Sequence, residues 1–345
     1  MVIKENIKDI ISGIKDDIIK LKDSTILITG GAGFLGKNIV WTLQELNKNH
    51  NLNCKVIVVD NYVTGLKDEF DENNITCIKH DITQKLSIDG DIDYIMHAAG
   101  IASPIFYTKY KLETIEVSIQ GTQNILEMAK EKKSKGVLFF STSEVYGSPT
   151  DENVPTPETY NGNVSCVGPR AHYDEPKRMG ETLCVTYASL YDMNVNIVRP
   201  FNVYGPGLRL DDGRGVINII KHALQNKDLP IYGDGLSTRT WTYITDAIIG
   251  FFKVLLCEHS GEAFNIGIDK PEISSIELSK LIIKLSNSNS KITIVDAPVE
   301  AYEKGFDVSR RCPDITKLNQ LLNFQPNVKV EEGLKKTIDW MRDLV

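Results

Sequence analysis

Neither a CxxC pair nor any cysteine–histidine spacing that would hold a metal occurs in this sequence, although it has six residues of each kind. The cysteines (Cys54, Cys77, Cys166, Cys184, Cys257 and Cys312) are scattered, and read as reduced structural thiols of a cytoplasmic protein. The histidines give no ligand pattern for metal catalysis, and His97, at a strand end, is read as neutral packing. A basic excess is missing too: 39 lysines and arginines face 46 aspartates and glutamates, a net charge of −7 at pH 7. That balance argues against a nucleic-acid partner, though local arginines and helix N-termini can still hold a diphosphate. No internal repeat or low-complexity tract appears. The first residues are charged throughout, so neither a signal peptide nor a membrane span is expected there.

What is present is ordinary for a globular enzyme: 345 residues, 41% of them hydrophobic, enough for one large domain or two lobes. Ile3, Ile7, Ile10, Ile11, Ile14, Ile18 and Leu21 recur at helical spacing, which predicts an amphipathic helix over residues 1–22 packed on the body. Beyond it, apolar runs (STILITG, KVIVVD, TCIKHDIT, IDYIMHAAG, KGVLFFSTSEVYG, NVNIVRPFNVYG) alternate with helical patterns, including long ones at 112–132 and 172–191. This alternation predicts an α/β fold, a Rossmann-type doubly wound parallel sheet over residues 23–205. Residues 206–345 open with a glycine-rich, charged loop and read as a smaller, interleaved C-terminal substrate lobe, with some chain returning to the sheet.

The turn Thr29-Gly30-Gly31-Ala32-Gly33-Phe34-Leu35-Gly36 lies between a strand and a helix, and the next strand ends in Asp60. Gly30 suits a tight turn, Gly33 a close backbone approach to a pyrophosphate, and Gly36 close helix packing. Asp60 would bond the adenosine ribose, and its charge would repel a 2′-phosphate, so NAD is expected over NADP. Asp81 could reach the adenine amino group or cap a helix. Phe34, Leu35, Asn61, Ile82, Ala98 and Ala99 are counted with the cofactor site.

Tyr173 and Lys177 form a YxxxK pair that shares one helix face. A lysine ammonium favours phenolate, which would make Tyr173 a base for a sugar hydroxyl. Pro176 lies between them and suggests that the helix has only just begun. Thr142, in STSEVYG at a strand's C-terminal end, could bond the same substrate oxygen.

With these motifs in order, the chain from about residue 24 onward resembles the extended short-chain dehydrogenase/reductase family that acts on nucleotide sugars. TGGAGFLG, STSEVYG, YxxxK, RPFNVYGPG and RRCPD carry the likeness. The stretch GPRAHYDEPKRMGETL is most similar to the UDP-glucuronate decarboxylases, or UDP-xylose synthases. The resemblance implies a catalytic set of Thr142, Tyr173 and Lys177, with Glu144 near C5 of the sugar. It also implies NAD, a homodimer built on the helices near 112–132 and 172–191, and contacts from Ser103, Asn202, Arg239 and Arg311 to a nucleotide-sugar substrate. Read without the family, Arg239 would more often form an ordinary surface ion pair, and the Arg310-Arg311 pair could equally do so. The shared first step would oxidise the sugar C4 hydroxyl to a ketone. Decarboxylation of UDP-glucuronate to UDP-xylose is the expected sequel. A C4-epimerase, a 4-dehydrogenase and a 4,6-dehydratase are the alternatives. Dehydratases carry Asp-Glu where this chain has Ser143-Glu144, which counts against dehydration. Ser118, where relatives have Asn, and His172, where they have Cys, depart from the pattern. A non-catalytic NAD sensor would be expected to lose the Tyr-Lys pair, which is present here.

Overall fold

A computed structural model describes residues 1–67, 70, 74–295 and 308–345. The chain opens with α1 (Val2–Gly13) and a single 3₁₀ turn at Ile18–Leu21, so the first helix is shorter than its isoleucine pattern suggested. Then follow β1 (Thr25–Thr29), α2 (Phe34–His50), β2 (Lys55–Asp60), β3 (Ile75–Lys79) and β4 (Tyr94–His97). After α3 (Pro104–Lys109), α4 (Lys111–Glu116) passes through a π turn at Val117–Gly121 into α5 (Thr122–Lys132). Next come β5 (Gly136–Phe140), α6 (Ala171–Tyr191), β6 (Val195–Pro200) and β7 (Val203–Tyr204). The second half adds α7 (Gly215–Leu224), β8 (Leu229–Tyr232), β9 (Thr238–Arg239), β10 (Thr242–Tyr243), α8 (Ile244–Leu255) and β11 (Ala263–Ile266). It closes with β12 (Ile273–Ser274), α9 (Ser275–Ser286), β13 (Ile292–Val295), β14 (Arg310–Arg311), α10 (Thr316–Leu322) and α11 (Val330–Arg342).

The main sheet has the order β11-β6-β5-β4-β1-β2-β3 with every pairing parallel. Both faces of such a sheet are covered, and the side chains divide between them with period two. Ile26, Ile28, Met96, Leu138 and Phe140 join the core under α2 and α8, while Leu27, Ile95, Val137 and Phe139 join the one under α5 and α6. β11 comes from beyond residue 205 and pairs with β6. Three small sheets, β10-β7, β12-β9-β14 and β13-β8, build the rest of the C-terminal half.

Pro176 is the sixth residue of α6 rather than part of its first turn. The Arg170 carbonyl already accepts the amides of Tyr173 (2.8 Å) and Asp174 (3.0 Å), which starts the helix early. Pro176 is buried and removes the amide that would bond the His172 carbonyl. Among the described residues no helix is long and apolar enough to cross a membrane.

α1 packs against α8, α2 and α11. Ile10 and Ile14 are fully buried, and the Asn6 amide donates to the Tyr243 hydroxyl at 2.9 Å. Ile10→Ala is therefore expected to destabilise the fold by about 2–5 kcal/mol in denaturant titration, and the exposed Lys8→Ala by less than about 0.5 kcal/mol. Equal midpoints for the two variants would show that α1 is not part of the core.

Candidate active site

The crevice at the C-terminal ends of β1 and β4 is made by close backbone approach. Gly30 has φ +70°, and a Cβ there would stand 2.7 Å from the Ala98 and Ala99 backbone. A Cβ on Gly36 would lie 2.3 Å from the Gly30 carbonyl. Only glycine fits either position. The turn leads into α2, where Gly33 is the N-cap, no side chain caps the first turn and no acidic residue lies in it. Those amides and the helix dipole suit an anion. Phe34, Leu35, Ala98 and Ser103 line the crevice.

Asp60 closes the turn from the β2 side. Its carboxylate accepts the amides of Ala32 (3.0 Å) and Tyr62 (2.8 Å). Burial raises its pKa, and these two bonds oppose the rise. Asn61 accepts from the Val63 amide at 3.0 Å. Asp81 is exposed and bonds the amide and hydroxyl of Thr83; it closes a local turn, and no helix follows for it to cap. Ile82 is buried, and its carbonyl accepts from Asn124 at 2.8 Å.

His97 lies between Thr29 (2.7 Å from Nδ1) and Thr122 (3.1 Å from Nε2). Thr122 donates onward to the Ser118 carbonyl, so Nε2 carries the proton and Nδ1 accepts from Thr29. Burial lowers the His97 pKa to about 3. The ring is neutral and connects the two strands to α5.

The catalytic candidates meet at the end of β5. Tyr173 is 5% exposed and stacks on Tyr107, with ring centroids 4.8 Å apart at 15°. The Thr142 side chain acts on the phenol and lowers its pKa, and its hydroxyl accepts the Glu144 amide at 3.3 Å. Lys177 is buried and donates from Nζ to the Phe140 carbonyl at 2.7 Å. Burial lowers its pKa to about 8. Burial raises the Tyr173 pKa to about 12, and the Thr142 side chain opposes the rise. Tyr173 is a neutral donor here, and a cation brought beside the phenol would lower its pKa.

Beyond Thr142 lies a buried ion cluster. Glu144 Oε2 is 2.5 Å from Arg170 Nη2 and 2.8 Å from Arg311 Nη2, with all three side chains 13% exposed. Although burial alone would raise the Glu144 pKa, Arg311, Arg170 and Arg239 together hold it below the usual carboxylate range. Asp174, 3.3 Å from the same Arg170 nitrogen, is pushed up to about 7 by burial. Arg239 and Arg311 are direct neighbours on the parallel strands β9 and β14, so register brings both to one face. Arg310 points the other way and pairs with Glu272 at 2.6 Å, which divides the two arginines into one inside and one outside. Asn202 bonds the Thr240 carbonyl beside Arg239. Ser103 lies apart in the dinucleotide crevice, where its hydroxyl donates to the Asp212 carbonyl.

Arg170, Asp174 and Tyr107 are the participants that motif reading did not single out. The first two stood in plain view in GPRAHYD, whereas Tyr107 gives no signal of its own on the short α3.

Residues 26–267 match the family described as the NAD dependent epimerase/dehydratase family. The chain belongs to this family. Among curated members it is 39% identical over 313 residues to UDP-glucuronic acid decarboxylase 5 of Arabidopsis thaliana, covering 90% of this chain and 86% of that one. It is 39% identical over 321 residues to UDP-glucuronic acid decarboxylase 1 of Xenopus tropicalis, covering 92% and 72%. Among solved structures, the UDP-glucuronic acid 4-epimerase from Bacillus cereus, in complex with UDP-glucuronic acid and NAD, aligns with a TM-score of 0.75 at 27% identity, covering 93% of this chain and all of that one. The dTDP-glucose 4,6-dehydratase DesIV from Streptomyces venezuelae, with NAD and TYD bound, aligns at 0.79 with 25% identity, covering 92% and 97%. Family members therefore share this frame while running different reactions, so the site rather than the fold must choose among them.

The glycine turn, the uncapped start of α2 and the buried Asp60 carboxylate beside them fit a dinucleotide. Asp60→Ala is expected to weaken NAD binding and bring the NAD and NADP dissociation constants closer together, as read by calorimetry. An unchanged ratio would mean that the ribose is read elsewhere.

Proposed function

We propose that this chain is an NAD-dependent UDP-glucuronate decarboxylase that forms UDP-xylose. The observation that carries the reading is Glu144, two residues beyond Thr142, set among Arg170, Arg311 and Arg239 beside the Tyr173 hydroxyl. The decarboxylase relatives at 39% identity support it.

Gly30, Gly33, Phe34, Leu35 and Gly36 would hold the NAD diphosphate, and Asp60 the ribose. Ala98 and Ala99 would flank it, with Asn61, Asp81 and Ile82 on the adenine side. When bound, NAD would supply the hydride acceptor and donor for sugar C4. Thr142 would then hold the C4 oxygen while Tyr173, as the phenolate that a cation beside it favours, takes its proton. Lys177 stands behind the phenol as the buried cation of the pair. With a ketone at C4, the carboxylate on C5 is β to a carbonyl. Its C–C bond breaks to release CO2, and the electron pair passes to the C4 oxygen as an enolate. The hydroxyls of Thr142 and Tyr173 stabilise that charge. A proton taken up at C5 from solvent would give the 4-keto pentose; hydride returned to C4, with Tyr173 giving its proton back to the C4 oxygen, would complete UDP-xylose. Arg239, Arg311 and Asn202 would hold the substrate's diphosphate and sugar, with Ser103 at the crevice edge.

Ser143 is buried and offers a hydroxyl where a dehydratase needs a carboxylic acid for the leaving C6 oxygen, which disfavours water loss. A groove between α4 and α6 is lined by Ile115, Ile119, His172 and Met179, and Leu112, Met179 and Val185 are exposed nearby. This face supports a homodimer, for which the mass in solution is the check.

The test is incubation with UDP-glucuronate, following released CO2 and product mass. Evolution of CO2 with a saturated pentose product is expected, and Tyr173→Phe should slow it by about 10²–10⁴-fold. Conversion to the 4-epimer with the carboxylate retained would instead make the chain a UDP-glucuronate 4-epimerase.

A further inference from the structure

The geometry points to Arg170 as a positioning residue for the C5 step, one that ties the Glu144 carboxylate to the first turn of the helix carrying Tyr173. This inference rests on the reading above, in which Glu144 works near C5 of the sugar. Arg170 is the N-cap of α6. Its carbonyl accepts the amides of Tyr173 at 2.8 Å and Asp174 at 3.0 Å, so its main chain sets where the catalytic tyrosine begins its turn. Its side chain reaches back across the pocket to Glu144, at 2.5 Å, and also touches Asp174 at 3.3 Å. One residue thus fixes both ends of the Glu144–Tyr173 separation. Arg311 shares the same Glu144 oxygen but arrives from β14, and so cannot set that distance.

The charges around Glu144 make the role testable. Facing it are three cations, Arg311, Arg170 and Arg239, and on the other side Tyr107, Tyr173 and Asp174. Removing one cation leaves a buried carboxylate less compensated, so its pKa rises. An ionised Glu144 is lost as pH falls through its pKa in the folded protein. A higher pKa therefore moves the acid limb of the rate profile to higher pH. An arginine that only braced the fold would change stability and leave that limb in place in folded protein.

The experiment compares wild type, Arg170→Met and Arg170→Lys in the full-length protein with UDP-glucuronate across pH, reading CO2, product mass and circular dichroism. Arg170→Met is expected to lower kcat by about ten- to a hundredfold with KM changed by less than about threefold. Its acid limb should move to higher pH, and part of the product should leave as the 4-keto pentose. Arg170→Lys should restore the acid limb, because the charge returns, but keep a kcat deficit, because a point charge lacks the planar fork. An unshifted acid limb in folded Arg170→Met overturns the inference. If that variant does not fold, wild-type kcat in Arg170→Lys overturns it. A wild type that releases no CO2 overturns the decarboxylase reading, and this inference with it; that outcome is distinct from an active wild type with indifferent variants.

Discussion

Two guanidinium groups converge on one carboxylate oxygen in a nearly dry pocket, and much of the site depends on that contact. Glu144 comes from the turn after β5, Arg170 from the cap of α6, and Arg311 from the C-terminal lobe. Leaving any one of these buried charges unpaired would be costly, so the contact holds three distant segments in one arrangement. The lobe carrying Arg239 and Arg311 is thereby fastened over the C-terminal end of the main sheet, where open α/β folds bind their ligands. The same contact keeps Glu144 ionised, which suits it to steer charge at a neighbouring sugar carbon rather than to hand over a proton.

The tyrosine site follows a second rule, that burial acts on every charge in it. Lys177 falls to about 8 and Tyr173 rises to about 12, so at neutral pH the resting pair holds a neutral phenol and a lysine still mainly in its ammonium form. Such a pair is poised for a bound cation to change its balance, and a nicotinamide cofactor in its oxidised form carries one. His97 is kept out of this titration: burial and its two threonine partners leave it neutral.

Most of the frame was legible in the residues because it depends on local pattern. The apolar runs became parallel strands, KVIVVD matching β2 residue for residue, and the glycine turn fell between β1 and α2. The Tyr-Lys helix began within a residue of where its pattern placed it, although Pro176 misled about the first turn. What escaped depends on register and long-range approach. Nothing in the string RRCPD says that Arg311 faces Glu144 while Arg310 faces Glu272; that needs the pairing of β14 with β9. Tyr107 on α3 stacks on Tyr173 from another element, and the π turn at Val117–Gly121 has no sequence mark.

The central claim is that oxidation and reduction at the same sugar carbon bracket the loss of CO2 within one turnover. UDP-glucuronate carrying deuterium at C4 tests it most directly. The account predicts a UDP-pentose that still carries deuterium at C4, formed without net reduction of added NAD. Loss of the label, or a stable 4-ketone accompanied by stoichiometric NADH, would contradict it.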